Sequence, residues 1–192
     1  MEQLKLLAEG IRLPVDAALW SQVSNNESAK LFLEQDKPRI ALIGTDENLT
    51  LAKEILADHP QAIITILEKN PVVAEAAEKQ IPSGVDVEII QQDIKEDLVP
   101  YKHNLKTHDL VVAKHLIHFV NAPELISQVR DKLLNPHCLF FASAPPLLRL
   151  RTSLELRGAA DQLRKMGIKY SQKPLQSYWK GTLFTFWQLG QK

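Results

Sequence analysis

The chain has 192 residues, with 23 Lys and Arg against 23 Asp and Glu, so its formal net charge is zero. This length suits one α/β domain of ordinary size, and the missing basic excess argues against a large nucleic-acid partner. Charges interrupt the first twenty residues, and no apolar run reaches the roughly 18 residues of a membrane span. The single Cys138 excludes an intrachain disulfide and suits a reducing compartment. We therefore expect a cytoplasmic protein that does not bind membranes or nucleic acid. A small ligand fits best, and a homo-oligomer or a protein partner stays open.

Residues 1–36 have the apolar spacing of amphipathic helices. Pro14 suits the first turn of a second helix, and the segment NNESAKLFLEQ offers an N-cap and a third short helix. No strand signal precedes Arg39. We therefore predict an N-terminal helical cap over residues 1–36 and a second domain over residues 37–192.

From Arg39 onward, strand-like and helix-like segments alternate. The predicted strands are RIALIG, QAIITILE, VDVEIIQQD, HDLVVAKH, HCLFFAS, IKYSQKP and TLFTFWQLG. Helical patterns separate most of them, including a long one over about residues 147–166, which predicts a doubly wound parallel sheet with right-handed crossovers. Only LQSYWKG joins the last two strands, so we expect them to form a hairpin with one strand antiparallel to the rest.

Four segments carry a resemblance to a known family. IALIGTDEN is similar to its first strand and loop, Glu68 in ILEKNP to the acidic end of its second strand, and VEIIQQDI with Asp93 to its third. DLVVAKHLIHFV looks like its fourth-strand region. In this order the segments resemble the class I S-adenosylmethionine-dependent methyltransferases. The resemblance implies a Rossmann-like seven-stranded sheet in the order 3-2-1-4-5-7-6 with strand seven antiparallel. It also implies S-adenosylmethionine as cofactor and S-adenosylhomocysteine as product.

Ligands of open α/β sheets bind beyond the carboxyl ends of the strands, at the switch point beside strand one. The resemblance implies that Glu68 accepts the ribose hydroxyl protons there, that Asp93 accepts from the adenine amino group, and that Ile94 packs on the ring. Otherwise Glu68 is a solvated carboxylate paired with Lys69, and Asp93 is an ordinary turn residue. The predicted cofactor-binding residues are Gly44, Thr45, Asp46, Glu68, Lys69, Asp93, Ile94 and Lys114.

The loop after the first strand departs from the family pattern. Gly44 keeps the first glycine position, whereas Asp46 and Asn48 stand where later glycines belong. Asp and Asn tolerate left-handed φ better than other non-glycine residues, so we expect these two to preserve the turn. We also expect Asp46 and Glu47 to repel the carboxylate of the cofactor, and Leu42 replaces a usual acid. Either the cofactor binds in a shifted or weakened way, or the pocket no longer takes it.

Lys114, His115 and His118 follow the fourth strand, where the resemblance places the methyl acceptor. His118 is the candidate general base, because its ordinary pKa lies near neutrality, although a capping role explains it as well. His115 and His118 are the predicted substrate-binding residues, and Lys114 is suited to orienting an anionic acceptor. The other histidines are scattered among turns and predict no metal site.

The resemblance favours methyl transfer from S-adenosylmethionine to a small-molecule acceptor. A non-catalytic methyltransferase-like scaffold or subunit is the alternative, and the degenerate segment GTDEN favours it. A nicotinamide-dependent dehydrogenase is a third reading that Glu68 supports. The missing glycine fingerprint and the terminal hairpin oppose that reading.

Overall fold

The computed structural model describes residues 16–92, 108–114, 138–142, 165, 169–174 and 182–187. Its strands are β1 Arg39–Ile43, β2 Ile63–Glu68, β3 Asp86–Gln91, β4 Leu110–Lys114, β5 Cys138–Ala142, β6 Lys169–Pro174 and β7 Thr182–Trp187. The helices are α1 over residues 16–24, α2 Glu27–Leu33, α3 Thr50–Asp58 and α4 Pro71–Glu78. The predicted helix over about residues 147–166 and the one in APELISQVRDKLL lie outside the described residues, apart from the single position 165.

The strands form one sheet in the order β3-β2-β1-β4-β5-β7-β6. Strand β1 pairs in parallel with β2 on one side and with β4 on the other, and Ile40 lies opposite both Ile64 and Leu110. Strand β7 runs antiparallel to β5 and to β6. The Rossmann-like parallel sheet that the sequence predicts is confirmed.

The central strands are buried along most of their length because both faces of the sheet are covered. Every residue of β1 after Arg39 is buried, and so is every residue of β2 after Ile63. Such strands read as continuous apolar runs. Strand β3 lies at the edge and alternates instead, with Asp86 and Glu88 exposed. Charged side chains at an edge strand disfavour pairing with another chain.

Helix α4 begins with an asparagine N-cap followed by a proline. Pro71 occupies its first turn, where a missing N–H costs nothing, and the Oδ1 atom of Asn70 accepts a hydrogen bond of 3.0 Å from the backbone N–H of Val72. Helix α3 buries one apolar face, which consists of Leu51, Ala52, Ile55 and Leu56. These two helices follow β1 and β2, so their amino ends meet the carboxyl edge of the sheet.

The described part of the N-terminal cap shares the core of the sheet. Leu19, Trp20 and Val23 of α1 belong to the same buried cluster as the strands. The indole N–H of Trp20 donates a 2.7 Å hydrogen bond to Oδ2 of Asp58, and the indole ring meets the ring of His59 edge-on at 5.9 Å. Helix α1 is thereby attached to the end of α3. Within the described segments, no helix has both the length and the apolar character needed to cross a membrane.

Candidate functional site

Two loops meet where β1 and β2 end. We call residues 44–49 the β1–α3 loop; Lys69 and Asn70 form the turn between β2 and α4. The backbone N–H of Gly44 donates a 2.8 Å hydrogen bond to the carbonyl of Leu67, so the first loop stays attached to the neighbouring strand. From β1 the strands continue along the chain in opposite directions across the sheet, to β2 and β3 on one side and to β4 and β5 on the other. This is the switch point at which open α/β sheets bind their ligands.

Glu68, the last residue of β2, connects the two loops. Its Oε2 atom accepts a 3.0 Å hydrogen bond from the backbone N–H of Thr45, and its Oε1 atom accepts one of 2.8 Å from that of Asn70. Only 8% of the residue is exposed. The alternative of a solvated strand-end carboxylate is therefore wrong. A carboxylate has about four acceptor positions, so these two bonds leave room for two more.

The β1–α3 loop is organised around the side chain of Asp46. One carboxylate oxygen, Oδ1, accepts hydrogen bonds from the backbone N–H of Asn48 at 2.9 Å, the backbone N–H of Thr50 at 3.2 Å and the hydroxyl of Thr50 at 3.1 Å. Asp46 is 7% exposed. Its carboxylate is thus directed into the loop. The expected repulsion between Asp46 and the cofactor carboxylate stays a prediction, and the structure adds that Oδ1 is engaged with the start of α3.

The left-handed backbone positions of the loop are not those that the sequence predicted. Gly44 has a φ of 82°, which suits a residue without Cβ. Among the described residues, the non-glycine residue with positive φ is Leu49, at 55°, and neither Asp46 nor Asn48 has it. The prediction that those two preserve the turn by adopting left-handed φ is therefore wrong. Leu49 is 1% exposed, so burial of its side chain offsets the strained backbone.

Asp46 also determines the electrostatics at the amino end of α3. The backbone N–H groups at a helix start attract anions, and dinucleotide-binding folds place the pyrophosphate there. Here the chain supplies its own anion, because the Asp46 carboxylate accepts from the N–H of Thr50. A second anion at this position would meet like-charge repulsion in a buried environment.

The other predicted site residues are located less completely. Lys69 is exposed in the turn after Glu68. Lys114 ends β4, one position beyond the pair Ile43↔Ala113, so its backbone lies at the same edge as the β1–α3 loop. Four predicted residues lie outside the described residues, namely Asp93, Ile94, His115 and His118. Leu42 is 1% exposed and packs in the core between β2 and β4.

Sequence reasoning missed three residues that shape this edge. Asn70 holds Glu68 through its backbone N–H, Thr50 supplies two of the donors to Asp46, and Leu49 carries the positive φ. Asn70 could have been found from the N-cap signal before Pro71. Thr50, four positions after an Asp at a helix start, is a weaker signal of the same kind. Nothing in the sequence indicates a left-handed leucine.

No protein-family model matches the chain. A curated relative, the malonyl-[acyl-carrier protein] O-methyltransferase of Halalkalibacterium halodurans, is 34% identical over 157 residues. That alignment covers 78% of this chain and 55% of the relative, so the chain spans about half the length of the relative.

Solved structures share the fold at low sequence identity. A Methanococcus maripaludis protein assigned to the S-adenosylmethionine-dependent methyltransferases has a TM-score of 0.66 at 15% identity, over 100% of this chain and 93% of its own. Human N-acetylserotonin methyltransferase in complex with S-adenosylmethionine has a TM-score of 0.57 at 16% identity, over 79% and 47%. At these identities the likeness shows the fold alone. Taken with the sequence relative, it shows that the chain belongs to the class I S-adenosylmethionine-dependent methyltransferase family.

Proposed function

We propose that the protein binds S-adenosylmethionine at the carboxyl edge of β1 and β2 and transfers its methyl group. The observation that carries this proposal is the buried carboxylate of Glu68, fixed by the N–H groups of Thr45 and Asn70 beside the β1–α3 loop. The two hydroxyls of a ribose are donors that such a carboxylate can bind through its remaining acceptor positions. When bound, the cofactor supplies an electrophilic methyl group on a sulfonium centre.

The charge of Asp46 separates this proposal from a dinucleotide-dependent dehydrogenase. A dinucleotide needs an anion-binding helix start for its pyrophosphate. The amino end of α3 already holds the buried Asp46 carboxylate. S-adenosylmethionine has no phosphate, so it does not need that position. The described charges therefore favour an adenosyl ligand without phosphate groups.

The remaining roles are proposals that follow from the family. Gly44, Thr45, Asp46, Lys69 and Lys114 stand with Glu68 around the cofactor. Asp93 and Ile94 contact the adenine. His115 and His118 face the acceptor, and His118 acts as general base when the acceptor is a hydroxyl.

For the acceptor we propose a small molecule with a carboxylate, either free or attached to a carrier protein. The curated relative is named for O-methylation of a malonyl group on an acyl-carrier protein, which supports this class. A carboxylate is already deprotonated near neutrality, so its methylation needs alignment rather than a base. Lys114, at the end of β4, suits the orientation of such an anion.

We also propose that the domain over residues 37–192 keeps the whole methyltransferase sheet, with strand seven antiparallel between strands five and six. The registers Cys138↔Trp187 and Lys169↔Trp187 support this arrangement. Residues 1–36 form the cap, and the packing of α1 and α2 on the common core supports that role.

A non-catalytic scaffold is the second candidate. The observation that favours it is that both carboxylate oxygens of Glu68 and the Oδ1 atom of Asp46 accept hydrogen bonds from donors within the chain, so these side chains have structural roles of their own. The test is transfer of labelled methyl from S-adenosylmethionine to a malonyl thioester and to malonyl-loaded carrier protein. Product with either acceptor supports the enzyme, while cofactor binding without product on any carboxylate acceptor supports the scaffold.

A further inference from the structure

The β1–α3 loop contains a hydrogen-bonded unit centred on one atom. Oδ1 of Asp46 accepts from two backbone N–H groups and one hydroxyl, all within 3.2 Å. The carbonyl of the same residue accepts from the N–H of Leu49 at 3.2 Å and from the hydroxyl of Thr45 at 3.3 Å. Asp46 thus connects the start of the loop to the first residue of α3.

This unit extends to Glu68, whose carboxylate is the proposed ligand of the cofactor ribose. Thr45 directly precedes Asp46, and its backbone N–H donates to Oε2 of Glu68 at 3.0 Å. The hydroxyl of the same Thr45 donates to the carbonyl of Asp46 at 3.3 Å. Thr45 therefore links the Asp46 unit to one of the two hydrogen bonds that orient Glu68.

The unit also holds a strained residue in place. Leu49 has a φ of 55° although it carries a bulky side chain. Its backbone N–H donates a hydrogen bond to the carbonyl of Asp46, and the residue is 1% exposed. Strained backbone persists where the surroundings over-determine it, and such positions cluster at functional loops.

From these contacts we infer that Asp46 is a positioning residue. It fixes the conformation of the β1–α3 loop, a role that glycines have in the family pattern. In this conformation Thr45 orients Glu68. This inference rests on the proposed function, because the carboxylate that it orients is the proposed ribose ligand. The effect of Asp46 on Glu68 is indirect. It acts through Thr45.

The test compares variants that remove or keep the acceptor and the donors. Asp46→Ala removes the three side-chain hydrogen bonds described above, whereas Asp46→Asn keeps an oxygen in the place of Oδ1. Thr50→Val removes the hydroxyl donor, and Thr50→Ser keeps it. Glu47→Gln removes a charge from the exposed neighbouring side chain and serves as the charge-matched control. Calorimetric titration with S-adenosylhomocysteine is run at a temperature where circular dichroism shows each variant folded.

We expect Asp46→Ala to weaken S-adenosylhomocysteine binding about tenfold, and Asp46→Asn to weaken it about threefold or less. We expect Thr50→Val to weaken binding and Thr50→Ser to restore it, while Glu47→Gln does not weaken it. Amide exchange at Thr45 should be faster in Asp46→Ala, which a change remote from the loop would not produce. If Asp46→Ala does not fold, the two Thr50 variants carry the test.

The failures of the two proposals are distinguishable. A parent protein that does not bind S-adenosylhomocysteine overturns the proposed cofactor site and this inference with it. A parent protein that binds, together with folded Asp46→Ala and Thr50→Val variants that bind equally well, overturns the inference alone.

Discussion

Glu68 has a structural role and a proposed ligand role at the same time. It is 8% exposed and accepts two backbone hydrogen bonds, so its removal leaves the N–H groups of Thr45 and Asn70 without this acceptor. We predict that Glu68→Ala lowers the free energy of unfolding by about 1 to 3 kcal/mol and weakens S-adenosylhomocysteine binding by about 1.5 to 3 kcal/mol. Urea denaturation and calorimetry measure the two effects separately.

The matched control is Glu88→Gln, which neutralises an exposed carboxylate on the adjacent strand β3. Glu68→Gln and Glu88→Gln change the net charge equally, so any difference between them reports the position of the carboxylate. Unchanged stability in Glu68→Ala would contradict the two observed hydrogen bonds. Unchanged binding would remove Glu68 from the cofactor site.

Leu49 gives a second prediction at the level of single residues. Its positive φ should reverse the usual order of stability, in which an alanine variant is more stable than a glycine variant. Glycine in place of alanine normally destabilises by about 0.5 to 1 kcal/mol through backbone entropy. At a φ of 55° alanine keeps the strain and glycine relieves about 1 to 2 kcal/mol of it. We predict that Leu49→Gly is at least as stable as Leu49→Ala, although both lose about 2 to 5 kcal/mol of core packing.

The comparison needs a leucine with ordinary helical backbone. Leu56 lies in α3, is 9% exposed and has no positive φ, so Leu56→Gly should be less stable than Leu56→Ala. The urea midpoints of the four variants show whether glycine or alanine is the more stable substitution at each of the two positions. The same order at both positions would mean that Leu49 is not left-handed in solution.

At the scale of elements, the contact between α1 and α3 determines how the cap unfolds. Trp20→Phe removes the N–H that donates to Asp58 but keeps an aromatic ring near His59. We predict a loss of about 0.5 to 1.5 kcal/mol, the range for one hydrogen bond, in a single thermal transition. Differential scanning calorimetry tests this. Two separate transitions would show that the cap folds independently of the sheet.

The pairing of the last two strands is testable by an engineered disulfide. Ser171 of β6 lies opposite Thr185 of β7, and directly opposed Cβ atoms are about 4.5 to 5.5 Å apart, close to disulfide range. In a Cys138→Ala background, Ser171→Cys with Thr185→Cys should oxidise to an intramolecular disulfide. Ser171→Cys with Phe184→Cys should not, because neighbouring side chains of a strand lie on opposite faces. Thiol titration and mass spectrometry detect the bond, and equal oxidation of both pairs would contradict the register.

The sequence predicts elements better than loop geometry for identifiable reasons. The continuous apolar run of β1 and the Asn-Pro start of α4 are local signals, and the structure contains both elements. The conformation of Leu49 depends on burial in a core built from distant strands, and the orientation of Asp46 depends on Thr50 across the loop. The resemblance to the family indicates the acid at the end of β2, whereas the burial of Glu68 comes from tertiary packing.

At the scale of the whole molecule, the sheet order brings the candidate site together from separate elements. Strand β1 contributes the loop with Asp46, β2 contributes Glu68, and β4 ends in Lys114 at the same edge. The balanced charge of the chain argues against a large nucleic-acid partner.

If the acceptor is a carboxylate, methyl transfer should not require His118 as a base. The rate should then stay level from pH 8 to below about 6.5, the ordinary histidine pKa, because the carboxylate ionises only near pH 4. We predict that His118→Ala leaves this profile flat with a malonyl thioester. A rate that falls steeply below about pH 6.5 in the parent protein, and not in His118→Ala, would favour a hydroxyl acceptor and the base role.

Calorimetric titration of the full chain with S-adenosylhomocysteine, repeated with Glu68→Gln and Glu88→Gln, tests the central claim most directly. We expect one binding site per chain, clear weakening in Glu68→Gln and unchanged affinity in Glu88→Gln. Absence of binding in the parent protein, or equal affinity in all three, would contradict a cofactor site at the end of β2.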